Sequence, residues 1–305
     1  MAKRDLINIT DFSKDEIEDL MNLATDIEKN PLKYSERLKG KKLASLFYEP
    51  STRTRLSLET AMMELGGNVI GFSDAESSSV AKGESVSDTI KTVSAFADII
   101  AIRHPKEGAA LVASRATDIP VINSGDGGHF HPTQTLSDLY TIKKEKGRMS
   151  GHRIGFCGDL KFGRTVHSLI MALLNYDDID FYLVSPEELK LPAYVKDKIE
   201  SMGSEWRETT SLEEAVPWLD VLYMTRVQKE RFFNEEDYVR LKDTYILDAK
   251  KLETARENLI IMHPLPRLNE IAPEVDSDKR AKYFEQVFNG KNIRKALLLT
   301  LLGGN

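Results

Sequence analysis

Two rhythms of apolar and polar positions alternate along the chain. Ser13 and Glu16 form a capping-box pair ahead of Ile17, Leu20, Met21 and Ala24, whose spacing places them on one helical face. The chain is therefore predicted to open with an amphipathic helix. Short apolar runs over 43–48, 69–72, 99–102 and 121–122 predict strands, with helices beginning near Thr52, Ser85, Gly108 and Pro132. The second half repeats this logic, with strands over 153–157, 180–184, 221–224 and 259–262 and helices over 165–174 and 194–202. A polar stretch over 143–151, at the end of the helix that starts near Pro132, marks the change from one half to the other. The last helix, 291–302, is apolar on much of its surface and is expected to pack back on the first half, so that the chain crosses twice. Strands that alternate with helices imply parallel sheets with crossover helices. The fold class read from this pattern is α/β, with two doubly wound parallel-sheet domains linked by two interdomain helices.

In open parallel sheets, ligands collect beyond the carboxyl ends of the strands. Polar clusters of this sequence fall there: Ser51-Thr52-Arg53-Thr54, Arg103-His104-Pro105, the loop 124–131, and His263-Pro264-Leu265-Pro266-Arg267. Several of these loops can line one cleft. The first cluster is the most informative. In Phe47-Tyr48-Glu49-Pro50-Ser51-Thr52-Arg53-Thr54-Arg55-Leu56 a strand pattern stops and a helical one begins. A helix start offers unpaired N–H groups and the positive end of the helix dipole. Hydroxyls and a guanidinium added there make a pocket for an anion, most naturally a phosphate. A simple N-cap needs one such residue rather than four polar donors in a row.

The other clusters are less specific when read alone. Arg103 at a strand end fits a solvated surface residue as well as a second positive charge beside the Ser51 pocket. His131 and Gln134 flank Pro132, a favoured first helical residue, and an imidazole there can donate to a carbonyl oxygen. The rival reading of His129 and His131 as a metal pair lacks a nearby cysteine or a helical HExxH pattern. Gly155-Phe156-Cys157-Gly158-Asp159 followed by Gly163-Arg164-Thr165 lacks the dinucleotide G-x-G-x-x-G spacing, and Arg164-Thr165 reads instead as a second anion site of carboxylate grade. Arg226 and Gln228 end another strand and suit a carboxylate, although a lone arginine there is more commonly a surface residue. The serine-rich loop 73–83, with Ser77, Ser78, Ser79 and Lys82, reads equally as a solvated loop or a lid.

Composition narrows the classes. At 305 residues the chain suits two domains, and 41% hydrophobic with 30% charged residues describes an ordinary globular protein. A net charge of −6 gives no basic stripe for nucleic acid and leaves the arginine pocket as a local positive spot suited to a small anion. Cys157 is the only cysteine, which excludes an intramolecular disulfide and fits a reducing cytoplasm. The start, Met1-Ala2-Lys3-Arg4-Asp5-Leu6, lacks the apolar core of a signal peptide, and the apolar run 296–302 is too short to cross a bilayer, so no membrane association is expected.

Taken together and in order, Ser51-Thr52-Arg53-Thr54-Arg55, Arg103-His104-Pro105, His131-Pro132-Thr133-Gln134, Gly158-Asp159-Leu160-Lys161 with Gly163-Arg164-Thr165-Val166-His167-Ser168, and His263-Pro264-Leu265-Pro266-Arg267 resemble the aspartate/ornithine carbamoyltransferase family over nearly the whole chain. Met224-Thr225-Arg226-Val227-Gln228-Lys229-Glu230-Arg231 is similar to the catalytic chains of its aspartate-using branch. The resemblance implies transfer of the carbamoyl group of carbamoyl phosphate to L-aspartate, in de novo pyrimidine biosynthesis, with no cofactor and no metal. It implies a carbamoyl-phosphate domain over 1–134, with a C-terminal helix 290–305 packing back on it, and an aspartate domain over 135–289. By the same resemblance, Ser51, Thr52, Arg53, Thr54 and Arg103 hold carbamoyl phosphate, His131 acts with Thr54 and Arg103 on the carbonyl oxygen, and Gln134 binds the carbamoyl amide. Arg164, Thr165, Arg226 and Gln228 grip the carboxylates of aspartate, and Leu265 and Pro266 present backbone carbonyls. Ser79 and Lys82 match lid residues that enter a neighbouring subunit's site, which implies a homotrimer with shared active sites; a separate regulatory chain stays open as a further partner.

Some positions depart from the family pattern. Ala81 stands where a second lysine is frequent, Phe162 where a tyrosine is common, and Gly128-His129-Phe130 where Ser-Asn-Gln is usual before the histidine. The ornithine-using branch carries His-Cys-Leu-Pro where this chain has His263-Pro264-Leu265-Pro266. Ser201-Met202-Gly203 is reminiscent of an ornithine-side motif but falls at the end of a helical stretch, whereas Arg226 and Gln228 select an anion. A non-catalytic homologue has no physical reason to keep an arginine pocket.

Overall fold

The computed structural model describes residues 3–74, 79–227 and 244–304. The chain divides into two compact units, one of Met1–Tyr140 with Val287–Asn305 and one of Thr141–Gln286. Both divisions fall inside helices.

In the first unit, α1 (Lys14–Lys29) starts at the expected capping box. The Ser13 N–H donates to Glu16 Oε2 at 2.8 Å, and the Glu16 N–H donates to Ser13 Oγ at 3.3 Å. A short α2 (Pro31–Tyr34) precedes β1 (Lys42–Phe47), α3 (Thr52–Glu64) and β2 (Asn68–Phe72). Then follow α4 (Val86–Ser94), β3 (Ile99–His104), α5 (Ala109–Arg115), β4 (Val121–Asp126) and α6 (Pro132–Lys146). The strands make a four-stranded parallel sheet in the order β2-β1-β3-β4. Ala44, Leu46, Ile100, Ile102 and Val121 from this sheet pack with Ile90, Ala110 and Ala113 of the helices. The order changes direction between β1 and β3, so the connections that leave their carboxyl ends run to opposite sides of the sheet.

The second unit runs through β5 (His152–Cys157), α7 (Arg164–Leu173), β6 (Ile179–Val184), α8 (Ala193–Ser201), β7 (Trp206–Thr209) and α9 (Leu212–Ala215). It continues with β8 (Val221–Met224) and β9 (Ile260–Met262), and the last helix, α10, spans Tyr283–Leu302. The five strands are parallel in the order β7-β6-β5-β8-β9, with the switch between β5 and β8. The two doubly wound parallel sheets are those expected from the alternation of patterns.

Three local expectations need correction. β7 had no apolar run to announce it. Among the described residues it is an edge strand paired only with β6, and its Glu208 carries ion pairs with Lys196 at 2.5 Å and Lys190 at 3.7 Å. The last helix begins at Tyr283 rather than near 291. Asn289-Gly290 interrupts the apolar pattern there because Gly290 makes room for packing: a Cβ on it would lie 2.5 Å from Arg294 Nη1 and 2.9 Å from Ser137 Oγ. The stretch read as a loop from Ser124 is still strand, since β4 runs on to Asp126.

Candidate active site

In the first unit the β1–α3 connection brings Ser51 to the N-cap of a 13-residue helix in extended backbone conformation, without a side-chain capping hydrogen bond. The reading of Ser51 as an ordinary side-chain cap therefore fails. Thr52 is exposed, Arg53 half-buried and Thr54 buried, with Thr54 Oγ1 3.4 Å from His131 Nε2.

Register decides the next residue. Phe47 pairs with Arg103, so Glu49, two residues beyond, reaches the Arg103 side chain, and Arg103 Nε donates to Glu49 Oε1 at 2.7 Å. Sequence reasoning missed Glu49 as the group that orients Arg103. The signal was available, since an acidic residue just past one strand faces an arginine at the end of the next. His104, in contrast, is structural. It packs on Tyr48 with ring centroids 4.7 Å apart, and its Nδ1 accepts the Lys106 N–H at 3.0 Å. Burial pushes its imidazole below the ordinary range.

The approach to His131 is organised by buried Asp126. Its carboxylate accepts from Gly108 N at 2.8 Å, Asn123 Nδ2 at 2.9 Å and Phe130 N at 3.2 Å. Gly127, at φ +52°, lies so close to its neighbours that a Cβ would be 2.7 Å from Glu107 Cγ and 2.9 Å from the Pro105 carbonyl oxygen. A left-handed residue in that space has to be glycine. His131 is 5% exposed and sits between two hydroxyls, with Thr133 Oγ1 3.3 Å from Nδ1. Gln134 Nε2 donates to Asp138 Oδ1 at 2.7 Å. The Thr133 carbonyl accepts from Arg294 Nη2 of α10 at 3.3 Å; desolvation lowers this buried guanidinium to about 10, opposed by the Asp138 charge. His129 Nδ1 stands 3.6 Å from Asp126 Oδ2, and among the described residues no group of His, Cys, Asp and Glu has the makings of a metal site.

The second unit presents its polar groups at the β5/β8 switch. Buried Asp159 accepts the Phe162 N–H at 2.9 Å, and the Phe162 carbonyl accepts the Arg164 N–H at 2.9 Å. Phe162 packs against Leu189 and Val227, an apolar patch that ties the loop after β5 to the loop after β8. Phe162 is an anchor in that patch; Arg164, two residues on, is the first residue of α7, and half-buried Arg226 directly precedes Val227. Gly163 caps α7 without a side chain, and Thr165 follows in the first turn. His167 is fixed as a donor from Nε2 to the Leu160 carbonyl at 2.7 Å, and burial lowers its pKa. Arg267 pairs with Asp276 and donates to Tyr283 Oη at 3.1 Å, so it serves the turn it stands on. Leu265 and Pro266 form the tip of that turn. Cys157 is fully buried and its thiol is pushed far up by desolvation.

Lys82 is exposed at the end of a 3-10 helix, Ser79–Lys82. Gln228, Ser77 and Ser78, and the motif residues Lys229, Glu230 and Arg231, lie outside the described residues. Among the described residues, no helix is long and apolar enough to cross a membrane.

Comparison with known proteins identifies the family. Residues 4–144 match the family described as aspartate/ornithine carbamoyltransferase, carbamoyl-P binding domain. Residues 150–301 match its Asp/Orn binding domain. The aspartate carbamoyltransferase catalytic subunit of Lachnoclostridium phytofermentans is 62% identical over 97% of both chains. That of Clostridium acetobutylicum is 59% identical over 98% of both. Among solved structures, the catalytic subunit of M. jannaschii aspartate transcarbamoylase superposes with a TM-score of 0.92 at 48% identity, covering 99% of each chain. The Trypanosoma cruzi aspartate transcarbamoylase, solved with carbamoyl phosphate and aspartate, gives a TM-score of 0.92 at 36% identity over 97% of this chain and 96% of that one. With its two domains matched and its relatives aligned end to end, the chain belongs to the aspartate/ornithine carbamoyltransferase family.

Proposed function

We propose that the chain transfers the carbamoyl group of carbamoyl phosphate to the α-amine of L-aspartate, giving N-carbamoyl-L-aspartate and phosphate. The observation that carries this reading is the pair of arginines, Arg164 and Arg226, at the β5/β8 switch, where a cationic amine such as ornithine would be repelled. The first unit holds carbamoyl phosphate. Ser51, Thr52, Arg53 and Thr54 bind the phosphate at the start of α3, and Arg103, oriented by Glu49, spans phosphate and carbonyl. Gln134, held by Asp138, takes the carbamoyl amide. The second unit holds aspartate through Arg164, Thr165, Arg226 and Gln228, with the Leu265 and Pro266 carbonyls facing the amine.

The amine nitrogen attacks the carbonyl carbon, and negative charge develops on the carbonyl oxygen. His131, with Thr54 and Arg103, stabilises that charge. Thr133 Oγ1 can donate to Nδ1 of a neutral imidazole, which leaves the Nε2 proton for the oxygen. The C–O bond to phosphate then breaks, phosphate departs with the electron pair, and it accepts the proton lost by the amine. Positioning and electrostatics supply the rate, and no side-chain nucleophile is needed. The active unit is a cytoplasmic homotrimer in which Ser79 and Lys82 serve a neighbour's site; exposure of Lys82 supports that role.

The test is an assay of purified chain with carbamoyl phosphate and a panel of amines, reading ureido product. Aspartate should be carbamoylated and ornithine ignored. Efficient citrulline formation from ornithine overturns the reading.

A further inference from the structure

The turn that follows β9 is built on a buried pair that none of the substrate contacts explains. His263 is 1% and Glu270 4% exposed, yet the turn between them is open: Pro266 is exposed and Leu268 is 63% exposed. The hydrogen bonds run in one pattern. The Leu265 N–H donates to His263 Nδ1 at 2.8 Å, so that nitrogen is the acceptor and the ring proton sits on Nε2. Nε2 donates to Glu270 Oε1 at 2.7 Å, and Glu270 Oε2 accepts the Leu268 N–H at 3.0 Å. Behind the ring, the His263 N–H donates to Gln286 Oε1 at 3.0 Å. Desolvation would raise the Glu270 carboxyl, but the bond from His263 and the backbone N–H groups outweigh it and hold the carboxyl below its ordinary range.

The pair thus ties down both ends of the Leu265–Leu268 turn, one amide through each partner. Leu265 also sits at φ +53°, a left-handed conformation that a branched side chain rarely adopts and that the surroundings must impose. We infer that His263 and Glu270 are positioning residues: a buried clip that aims the Leu265 and Pro266 carbonyls and thereby sets affinity for the amino-acid substrate. This rests on the reading above that those carbonyls face aspartate. A plain core role would need neither the Nδ1 acceptor nor the second carboxylate oxygen, and apolar side chains of like volume would fill the space.

The variants separate the two roles. Glu270→Gln keeps the volume but turns an amide donor toward one of two N–H groups. His263→Asn keeps an acceptor within reach of the Leu265 N–H, whereas His263→Ala keeps neither bond. Leu219→Ala, in the apolar core of the same unit, is the control for stability loss alone. In the ureido assay, Glu270→Gln should raise the aspartate KM by about tenfold or more, since a misplacement of about 1 Å can cost a hundredfold, and leave the carbamoyl phosphate KM within about twofold. His263→Asn should recover part of what His263→Ala loses. Leu219→Ala should lower the melting temperature with an unchanged aspartate KM. An aspartate KM unchanged in Glu270→Gln, or one raised equally by Leu219→Ala at matched melting temperature, overturns the clip while the functional reading stands. Failure of the wild-type chain to form carbamoyl aspartate overturns the functional reading, and the role of the clip with it.

Discussion

Gly158 is the position where a single methyl group should do most harm to amino-acid binding. It follows β5 at φ +123°, and a Cβ built on it would lie 2.1 Å from the Thr225 carbonyl oxygen and 3.1 Å from Thr225 Cγ2. Cβ atoms essentially never approach closer than 3.0 Å, so Gly158→Ala requires a separation of about 0.9 Å between the two strand ends. The obstacle is backbone, so it cannot swing aside as a side chain would. Overpacking of this kind costs about 1–3 kcal/mol, and a non-glycine residue forced into such a backbone conformation adds about 1–3 kcal/mol. A stability loss of roughly 2–6 kcal/mol follows from the sum of those two ranges. The function should suffer separately, because Thr225 directly precedes Arg226. A displacement approaching 1 Å of a substrate-positioning group costs on the order of a hundredfold, or about 2.7 kcal/mol in kcat/KM.

The assay is an aspartate saturation curve at fixed carbamoyl phosphate, read beside a thermal melt. Gly203→Ala is the control, since Gly203 also has positive φ, +78°, but nothing lies within 4 Å of its Cβ position. That variant should lose about 1 kcal/mol of stability and no aspartate affinity. Gly158→Ala with aspartate kcat/KM within about threefold of wild type would mean that the strand ends part without moving Arg226, and the reasoning would be refuted.

On the proposed function, Arg53→Ala and Lys82→Ala should each lower turnover about a hundredfold or more, since each would remove a charged contact to substrate. Mixed under conditions of subunit exchange, the two variants should recover part of the activity, because some pockets then combine an intact Arg53 with an intact Lys82 from the neighbour. Exchange seen by native mass spectrometry without recovery would remove the shared-site trimer. Glu64 tests the tie between α3 and the C-terminal helix, accepting from Lys291 Nζ at 2.6 Å and Lys295 Nζ at 2.5 Å. Partial burial pushes its carboxyl up, but the two ammonium groups bring it below the ordinary carboxylate range. A depressed folded-state pKa gives stability that is present above the unfolded pKa and lost as pH falls through the folded one. Melting curves of wild type and Glu64→Gln should therefore converge on acidification below about pH 4.5, and parallel curves would rule the contribution out.

Much of the candidate site was legible in the linear pattern because its residues cluster at element ends. Ser51 to Thr54, Arg103, His131, Arg164 and Arg226 each stand within a few positions of a strand end or a helix start, and those ends are marked by period and by Pro132. What escaped was what acts across the chain. Glu49 and Asp138 are unremarkable acidic residues until register or a helical turn sets them against Arg103 and Gln134. β7 escaped because an edge strand has one neighbour and can be polar, and the start of α10 because Asn289-Gly290 breaks its apolar stripe.

Local chemistry along the chain determined the elements, since alternation and helical spacing follow from which side chains must leave water. It also pointed to the candidate anion pocket, because a helix start and its donors are adjacent in sequence. The tertiary structure alone decided the strand orders β2-β1-β3-β4 and β7-β6-β5-β8-β9, and with them which loops meet at each switch. It alone made Gly158 intolerant of a methyl group, gave Phe162 its place against Leu189 and Val227, and joined His263 to Glu270 beneath an open turn. The physical reason is common to all of these. A hydrogen bond or a close contact depends on a separation of a few ångströms in space, and no periodicity of the chain encodes that distance between residues that folding alone brings together.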